Sequence, residues 1–267
     1  MPEIILFAGP SITGVDSALL KPVDLRPPVQ QGDVYLAAQE APGAIAIIDG
    51  FFEGAPAVWH KEILWALTRG IAVLGASSMG ALRAAEMERF GMQGFGGIFE
   101  AYRDGVLEDD DEVALLHGPA DLGYPNLSLA MVNARATLAA ASAAGLIEAA
   151  EEAALVASAK AQFYKIRSWD SVLSDPAAPR LGDSRLADLR HWIATHAVDQ
   201  KRLDAEALLQ HLAQGAPAPA RTETHFEETA LWHEAVGLWR QRAAAQARAT
   251  AEKGGYRLTA GLSLLQE

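Results

Sequence analysis

The chain is expected to fold as an α/β protein. A three-layer domain with a mostly parallel, Rossmann- or flavodoxin-like sheet is predicted over residues 1–125, followed by an α-helical region over 126–267. Three observations predict this. Short apolar, β-rich runs alternate with helical patterns through the first half. Three of these runs end in small polar turns, at Ser11, Asp49-Gly50 and Ser77-Ser78. Beyond about Asn126 the strand-like runs stop and Ala-rich helical patterns take over.

Taken in order, Ile4–Ala8 reads as a strand ended by Gly9-Pro10-Ser11, and Pro22–Pro28 as a proline-rich loop. Gly32–Ala41 reads as a short helix and Ala44–Ile48 as a second strand. Pro56 suits the first turn of a helix reaching Thr68, with Gly70 behind it. Ile71–Leu74 is the third strand, and Met79–Phe90 is helical. Four glycines between Gly91 and Gly97 predict a tight or mobile turn. The acidic run Glu108–Glu112 reads as a solvated loop, and Val113–Leu116 as a fourth strand before His117-Gly118-Pro119. Helices are expected over Leu127–Ala144, Ile147–Tyr164, Arg185–Thr195, Asp204–Leu212 and Phe226 to about Ala251. Trp232 and Trp239 lie seven apart on one face of the last, which marks a packing surface.

Composition narrows the function. Lys and Arg total 22 against 34 Asp and Glu, a net charge of −12. Phosphate neutralisation needs clustered cations, so a nucleic-acid partner is not expected. There is no cysteine, which excludes disulfides, thiolate catalysis and Cys-ligated zinc. H-E-x-x-H is absent, and Gly9-Pro10-Ser11 lacks the Gly-Lys-Ser/Thr ending of a Walker A loop. No metal and no cofactor is therefore expected. No apolar run reaches membrane-spanning length, and no basic segment precedes the first apolar stretch. A cytoplasmic protein with no membrane association is expected.

The segment IAVLGASSMGALRAAEM at 71–87 is the strongest chemical signal. A serine on a tight strand-to-helix turn is held clear of both elements, and the following N–H groups open a helix toward the same space. That arrangement suits a nucleophile beside an oxyanion site, or an anion held at a helix N-terminus. It also suits a helix-capping serine, and only half of G-x-S-x-G is present, because Ala76 takes the first glycine position. Gly80 lies two residues after Ser78, which favours Ser78 over Ser77 as the functional hydroxyl. Three bases are candidates. His60 and Lys61 open the helix after the second strand, where a cation is disfavoured and its pKa lowered. His117 ends the fourth predicted strand. Ser11, Asp49, Gly50, Ser77, Met79, Gly80 and Arg83 complete a candidate substrate-binding set at the carboxyl edge of the sheet.

With these residues in view, the chain resembles the TfuA-like family over about residues 4–137. The matching pieces are ILFAGPS at 5–11, AIIDGFFE at 46–53, PAVWHKEILWAL at 56–67, GASSMGALRAAE at 75–86 and DEVALLHGP at 111–119, followed by PNLSLAMVNARAT at 125–137. The resemblance implies a partner of YcaO-type enzymes in peptide backbone thioamidation. It implies hydrolysis of a thiocarboxylated ThiS-like sulfur-carrier protein, which releases sulfide for modification of a substrate peptide. Ser78, His60, Lys61 and His117 lie in the matching blocks, and their roles here follow from their chemistry. Two other classes stay open: a non-catalytic adaptor that strengthens peptide binding by a YcaO enzyme, and a small-anion-binding protein.

Overall fold

The computed structural model describes residues 3–179, 181–219 and 224–263, with side chains up to residue 248. Five strands form an all-parallel sheet: β1 (Ile4–Phe7), β2 (Asp24–Arg26), β3 (Ala44–Ile47), β4 (Ala72–Ala76) and β5 (Gln93–Phe95), in the order β2-β1-β3-β4-β5. Between and after them run α1 (Asp33–Ala38), α2 (His60–Thr68), α3 (Met79–Met87) and α4 (Gly97–Arg103). The remaining helices are α5 (Met131–Ala143), α6 (Ala149–Lys160), α7 (Trp169–Leu173), α8 (Asp183–His196), α9 (Gln200–Leu212) and α10 (Ala230–Ser263). The α/β class with a helical C-terminal part is as the sequence predicts.

β1, β3 and β4 are buried on both faces, which is why they read as unbroken apolar runs. Alternate residues serve the two sides. Ile5, Phe7, Ile45, Ile47 and Val73 meet α1 to α4 and the tryptophans of α10. Ile4, Leu6, Ala46, Ile48 and Leu74 meet α9. Right-handed crossovers explain this division. In this strand order the connections leading into β3, β4 and β5 all cross one face. The other face receives only the short β1-to-β2 connection, made of 3-10 turns. The far C-terminal helix α9 fills that space with Ala205, Leu208, Leu209 and Leu212. A separate apolar cluster is built mainly from α5, α6, α7 and α8.

Several local expectations need correction. β2 lies inside the predicted proline-rich loop. It is a three-residue edge strand whose two charged residues and flanking prolines hide its pairing with β1. β5 replaces the predicted glycine-rich turn. Gly94 is needed there because a Cβ would lie 2.1 Å from the Phe99 ring. Val113–Leu116 forms no sheet strand; beside it only His117 makes an isolated bridge, to Asn126. The acidic run is solvated over Glu108–Asp110, as expected, but not at Asp111 and Glu112. Glu112 is buried and bonded by Arg135 at 2.9 Å, while Asp111 pairs with Lys160 and with the fully buried Arg167. Basic side chains from α5, α6 and beyond pair with Asp109, Asp111 and Glu112, and nothing local in the sequence shows that. α2 begins at His60, four residues after Pro56. The reason is the buried Glu62, whose carboxylate accepts the Trp59 N–H at 3.1 Å and fixes the first turn there.

Glu62 also accepts from Tyr35 N at 3.3 Å and so ties α2 to α1. Burial pushes its carboxyl up to about 7, against backbone donors that favour the charge. Between the ordinary value of 4.5 and about 7, the folded chain holds a proton that the unfolded chain releases. This contribution is full below that window and is lost as pH rises through it. The thermal midpoint of Glu62→Gln should therefore fall less than that of the wild type between about pH 5 and pH 8, as scanning calorimetry would read.

Gly80 leaves the least room for a side chain among the described glycines, since a Cβ there would lie 1.8 Å from the Ile47 carbonyl oxygen. Gly80→Ala should cost about 3 kcal/mol or more, because backbone on both sides must move. Gly237→Ala, in open helix with nothing within 4 Å, should gain about 0.5–1 kcal/mol. Equilibrium denaturation of the two variants checks both.

Candidate active site

The carboxyl ends of β1, β3 and β4 deliver Gly9-Pro10-Ser11, Asp49-Gly50 and Ser77-Ser78 to one place. The switch point of the strand order lies between β1 and β3, where open α/β sheets bind ligands. Asp49 organises the floor. Its Oδ2 accepts the N–H groups of Gly9 at 2.8 Å and Ser11 at 2.9 Å, and its Oδ1 accepts the Ser11 hydroxyl at 2.6 Å. All three donors come from the loop after β1, so one carboxylate locks that loop to the end of β3.

A cavity of about 490 Å³ opens above this floor. Its walls include Asp49, Gly50, Phe51, Ser78, His117 and Lys201. Ser78 is the N-cap residue of α3, yet its side chain makes no capping bond. The capping role that a serine usually takes here is therefore not used. Ser77 sits at φ +68, and the Ser78 N–H donates back to Ala76 O at 2.8 Å across it. This three-residue turn is strained for a residue with a side chain. Gly75 and Gly80 make it possible, because a Cβ on Gly75 would lie 2.1 Å from the Gly80 carbonyl oxygen. Ser77 itself is fully buried with no partner for its Oγ, and it does not line the cavity.

His117 reaches the same cavity from a distant part of the chain. Its Nδ1 lies 2.8 Å from the Gly118 carbonyl oxygen. A carbonyl has no proton to give, so Nδ1 carries the hydrogen and a neutral ring keeps its lone pair on Nε2. Phe51 and Tyr124 flank the ring at 6.3 Å and 5.5 Å between centroids. Met79 follows Ser78, and among the described residues its N–H has no acceptor. The next amide, of Gly80, is taken by Ile48 O at 3.2 Å.

The other sequence candidates lie elsewhere. His60 Nε2 meets Glu86 Oε2 at 2.7 Å on the surface of α2 and α3. Lys61 Nζ bonds Thr229 at 3.2 Å and lies over the Phe226 ring, so it joins α2 to the segment before α10. Arg83 binds Val58 O and Glu86 and faces a neighbouring hollow with Phe52 and Glu108. Burial works against the Glu86 charge, but the His60 hydrogen bond and the Arg83 charge hold its pKa below the ordinary value. None of His60, Lys61 and Arg83 lines the cavity.

Lys201 is the site residue that sequence reasoning missed. It lies in the first turn of α9 and is buried, with Nζ 2.8 Å from Val113 O and 4.0 Å from Asp49 Oδ1. Burial lowers its pKa, and the Asp49 charge works in the opposite direction. Nothing in the helical pattern around Gln200-Lys201-Arg202 separates it from a surface lysine. The signal is the bare sheet face, which requires a helix from elsewhere.

Residues 49–168 match the model of the TfuA-like protein family. That span begins at Asp49 and includes Ser78 and His117, while Ser11 and Lys201 lie outside it. No curated protein matches the chain. No helix among the described residues is long and apolar enough to cross a membrane.

Asp49→Asn should show how far the floor depends on the carboxylate. One acceptor oxygen becomes a donor that faces either amide donors or the Ser11 hydroxyl. A loss of about 2 kcal/mol or more in denaturant unfolding is expected, with faster amide exchange at Gly9 and Ser11.

Proposed function

We propose that the protein is a hydrolase-type accessory protein of YcaO-dependent peptide thioamidation, which releases sulfide from a thiocarboxylated ThiS-like carrier protein. The TfuA-like family is linked to accessory functions in thioamidation and is associated with YcaO systems. The observation that carries the catalytic reading is the meeting of Ser78 and His117 at one cavity. The serine hydroxyl is free of any capping bond, and the imidazole is oriented with Nε2 available.

In this reading His117 Nε2 takes the Ser78 hydroxyl proton as Oγ attacks the thiocarboxylate carbon. The Met79 N–H is the donor for the oxyanion that develops, as the amide after the nucleophile serves in strand–turn–helix hydrolases. Collapse breaks the carbon–sulfur bond. His117 returns the proton to the departing sulfur, and the carrier is left as an ester on Ser78. Water, deprotonated by the same imidazole, then cleaves the ester to a carboxylate and regenerates the serine. Atoms and charge balance with one water consumed and one hydrosulfide and one proton released. Lys201 and Asp49 supply a buried, nearly neutral pair beside the reacting group. His60 and Lys61 act in this scheme as ties between helices and not as the base.

The test is sulfide release from a thiocarboxylated carrier by single variants. Ser78→Ala should lower the rate by about three orders of magnitude or more, and His117→Ala by about two to four. Ser77→Ala and His60→Ala should stay within about threefold of wild type, since neither side chain lines the cavity. Unchanged turnover in Ser78→Ala would end the nucleophile assignment. Retained pathway activity in that variant would favour the adaptor role.

A further inference from the structure

The segment from Ala114 to His117 runs along the cavity wall with one side of its main chain unpaired. The other side is paired at Leu116 and Gly118. Leu127 N–H donates to Leu116 O at 2.8 Å, and Gly118 N–H donates to Pro125 O at 2.8 Å. Leu116 N–H donates to Ser128 Oγ at 2.7 Å, and His117 forms an antiparallel bridge with Asn126. In a bridged strand of this kind, successive residues turn their N–H and C=O groups to opposite sides. Leu116 and Gly118 face Asn126–Ser128, so Leu115 and His117 face away. Among the described residues, the main-chain groups of Leu115 and His117 make no hydrogen bond. The alternation ends before Val113, which closes a 3-10 turn in the αR region and gives its carbonyl to Lys201 Nζ, itself part of the cavity wall.

Two N–H groups and two C=O groups are thus presented two residues apart on a wall of the cavity. That repeat matches an extended peptide, which advances about 6.6 Å for every two residues. A small ligand has no need of it. The end of the apolar run that reads as a strand in the sequence has the same explanation: Leu115–His117 is bridged on one side only, and its other side is open to a partner chain.

We propose that Leu115 and His117 form a β-augmentation site for the extended terminus of a partner polypeptide, which they align so that its terminal carbonyl reaches Ser78. This rests on the hydrolase reading for the chemistry at Ser78, but the pairing itself is independent of turnover. Main-chain hydrogen bonds give the site tolerance of side-chain identity, and Phe51 and Leu116 are among the residues that line the cavity beside it. Phe163 and Ile166, exposed on either side of the wall residues Tyr164 and Lys165, offer apolar contacts to the body of the partner.

The test uses the full chain carrying Ser78→Ala, so that nothing is consumed, and a mixture of hexapeptides with four randomised positions and a free Gly-Gly carboxyl end. In amide-resolved NMR the Leu115 and His117 signals should shift, and their hydrogen exchange should slow about tenfold or more at saturation. Peptides N-methylated at every second amide are then compared in the two registers. One register should bind about tenfold more weakly and the other almost unchanged, because alternate amides of a paired strand point away. Leu115→Pro removes one donor and, with it, a side chain packed at the core edge, so it should abolish the His117 shift while circular dichroism shows the chain still folded. No shift at these amides at millimolar peptide, or equal effects of the two methylation registers, would overturn the proposal. Sulfide release by the unmodified protein is measured separately. Release without strand pairing defeats this inference and leaves the hydrolase standing, while pairing without release does the reverse.

Discussion

The approach of Gly80 to the Ile47 carbonyl is the constraint on which the site depends. With no side chain at Gly75 or Gly80, α3 settles directly on the backbone of β3 and β4. Its first turn is then close enough for the Gly80 amide to bond Ile48 O. The chain leaving β4 has only two residues in which to reverse, and Ser77 takes the strain at positive φ. That strain is what turns Ser78 out of the sheet and leaves its hydroxyl clear of its own helix. A larger residue at either glycine would lift α3, relax the turn and return Ser78 to an ordinary cap. The position of the hydroxyl is therefore set by backbone packing, and no hydrogen bond to Ser78 is required to hold it.

Asp49 plays the complementary part on the neighbouring strand. Its carboxylate gathers two amides and one hydroxyl from the loop after β1, so the cavity floor is fixed before any ligand arrives. A buried carboxylate needs a counter-charge or several donors. Here it has the donors at hydrogen-bond distance and Lys201 at 4.0 Å. The lysine is correspondingly held by a carbonyl and by the edge of Asp49, which suits a group that contributes polarity to the cavity without adding net charge.

What could be read from the sequence divides along a physical line. β1, β3 and β4 were legible because strands buried on both faces must be continuously apolar, and their polar ends marked the ligand edge. The turn at Ser77-Ser78 was legible because its chemistry is local: a strand, two small residues, a glycine and a helix. β2 and β5 were not, since an edge strand needs only three residues and tolerates charge and glycine. Glu108–Glu112 misled because a run of like charges says nothing about Arg135, Lys160 and Arg167, which lie 23 to 56 positions away in chain separation. Placing His60 and Lys61 at a helix start was sound, but which way that start faces depends on Glu62 and α1, and those contacts turn the pair toward Glu86 and Thr229.

The helical half is the remaining part of the argument. The strand order leaves one sheet face without a covering helix from its own crossovers, and an exposed face of Ile4, Leu6, Ile48 and Leu74 would be a large apolar liability. Covering it with α9 removes that liability and, from the same helix, brings the Lys201 amine to the ligand edge. On the opposite face Trp232 and Trp239 of α10 close over Tyr35 and Trp65, and Gly32 has no side chain because the Trp239 ring lies where its Cβ would be. The two elements that complete the sheet thus come from the part of the chain with the least recognisable sequence. Packing alone asks little of them: an apolar face of the right length. That is why the helices that cover the sheet carry no pattern of their own, while Asp49, Ser78 and His117 all lie within the span that matches the family.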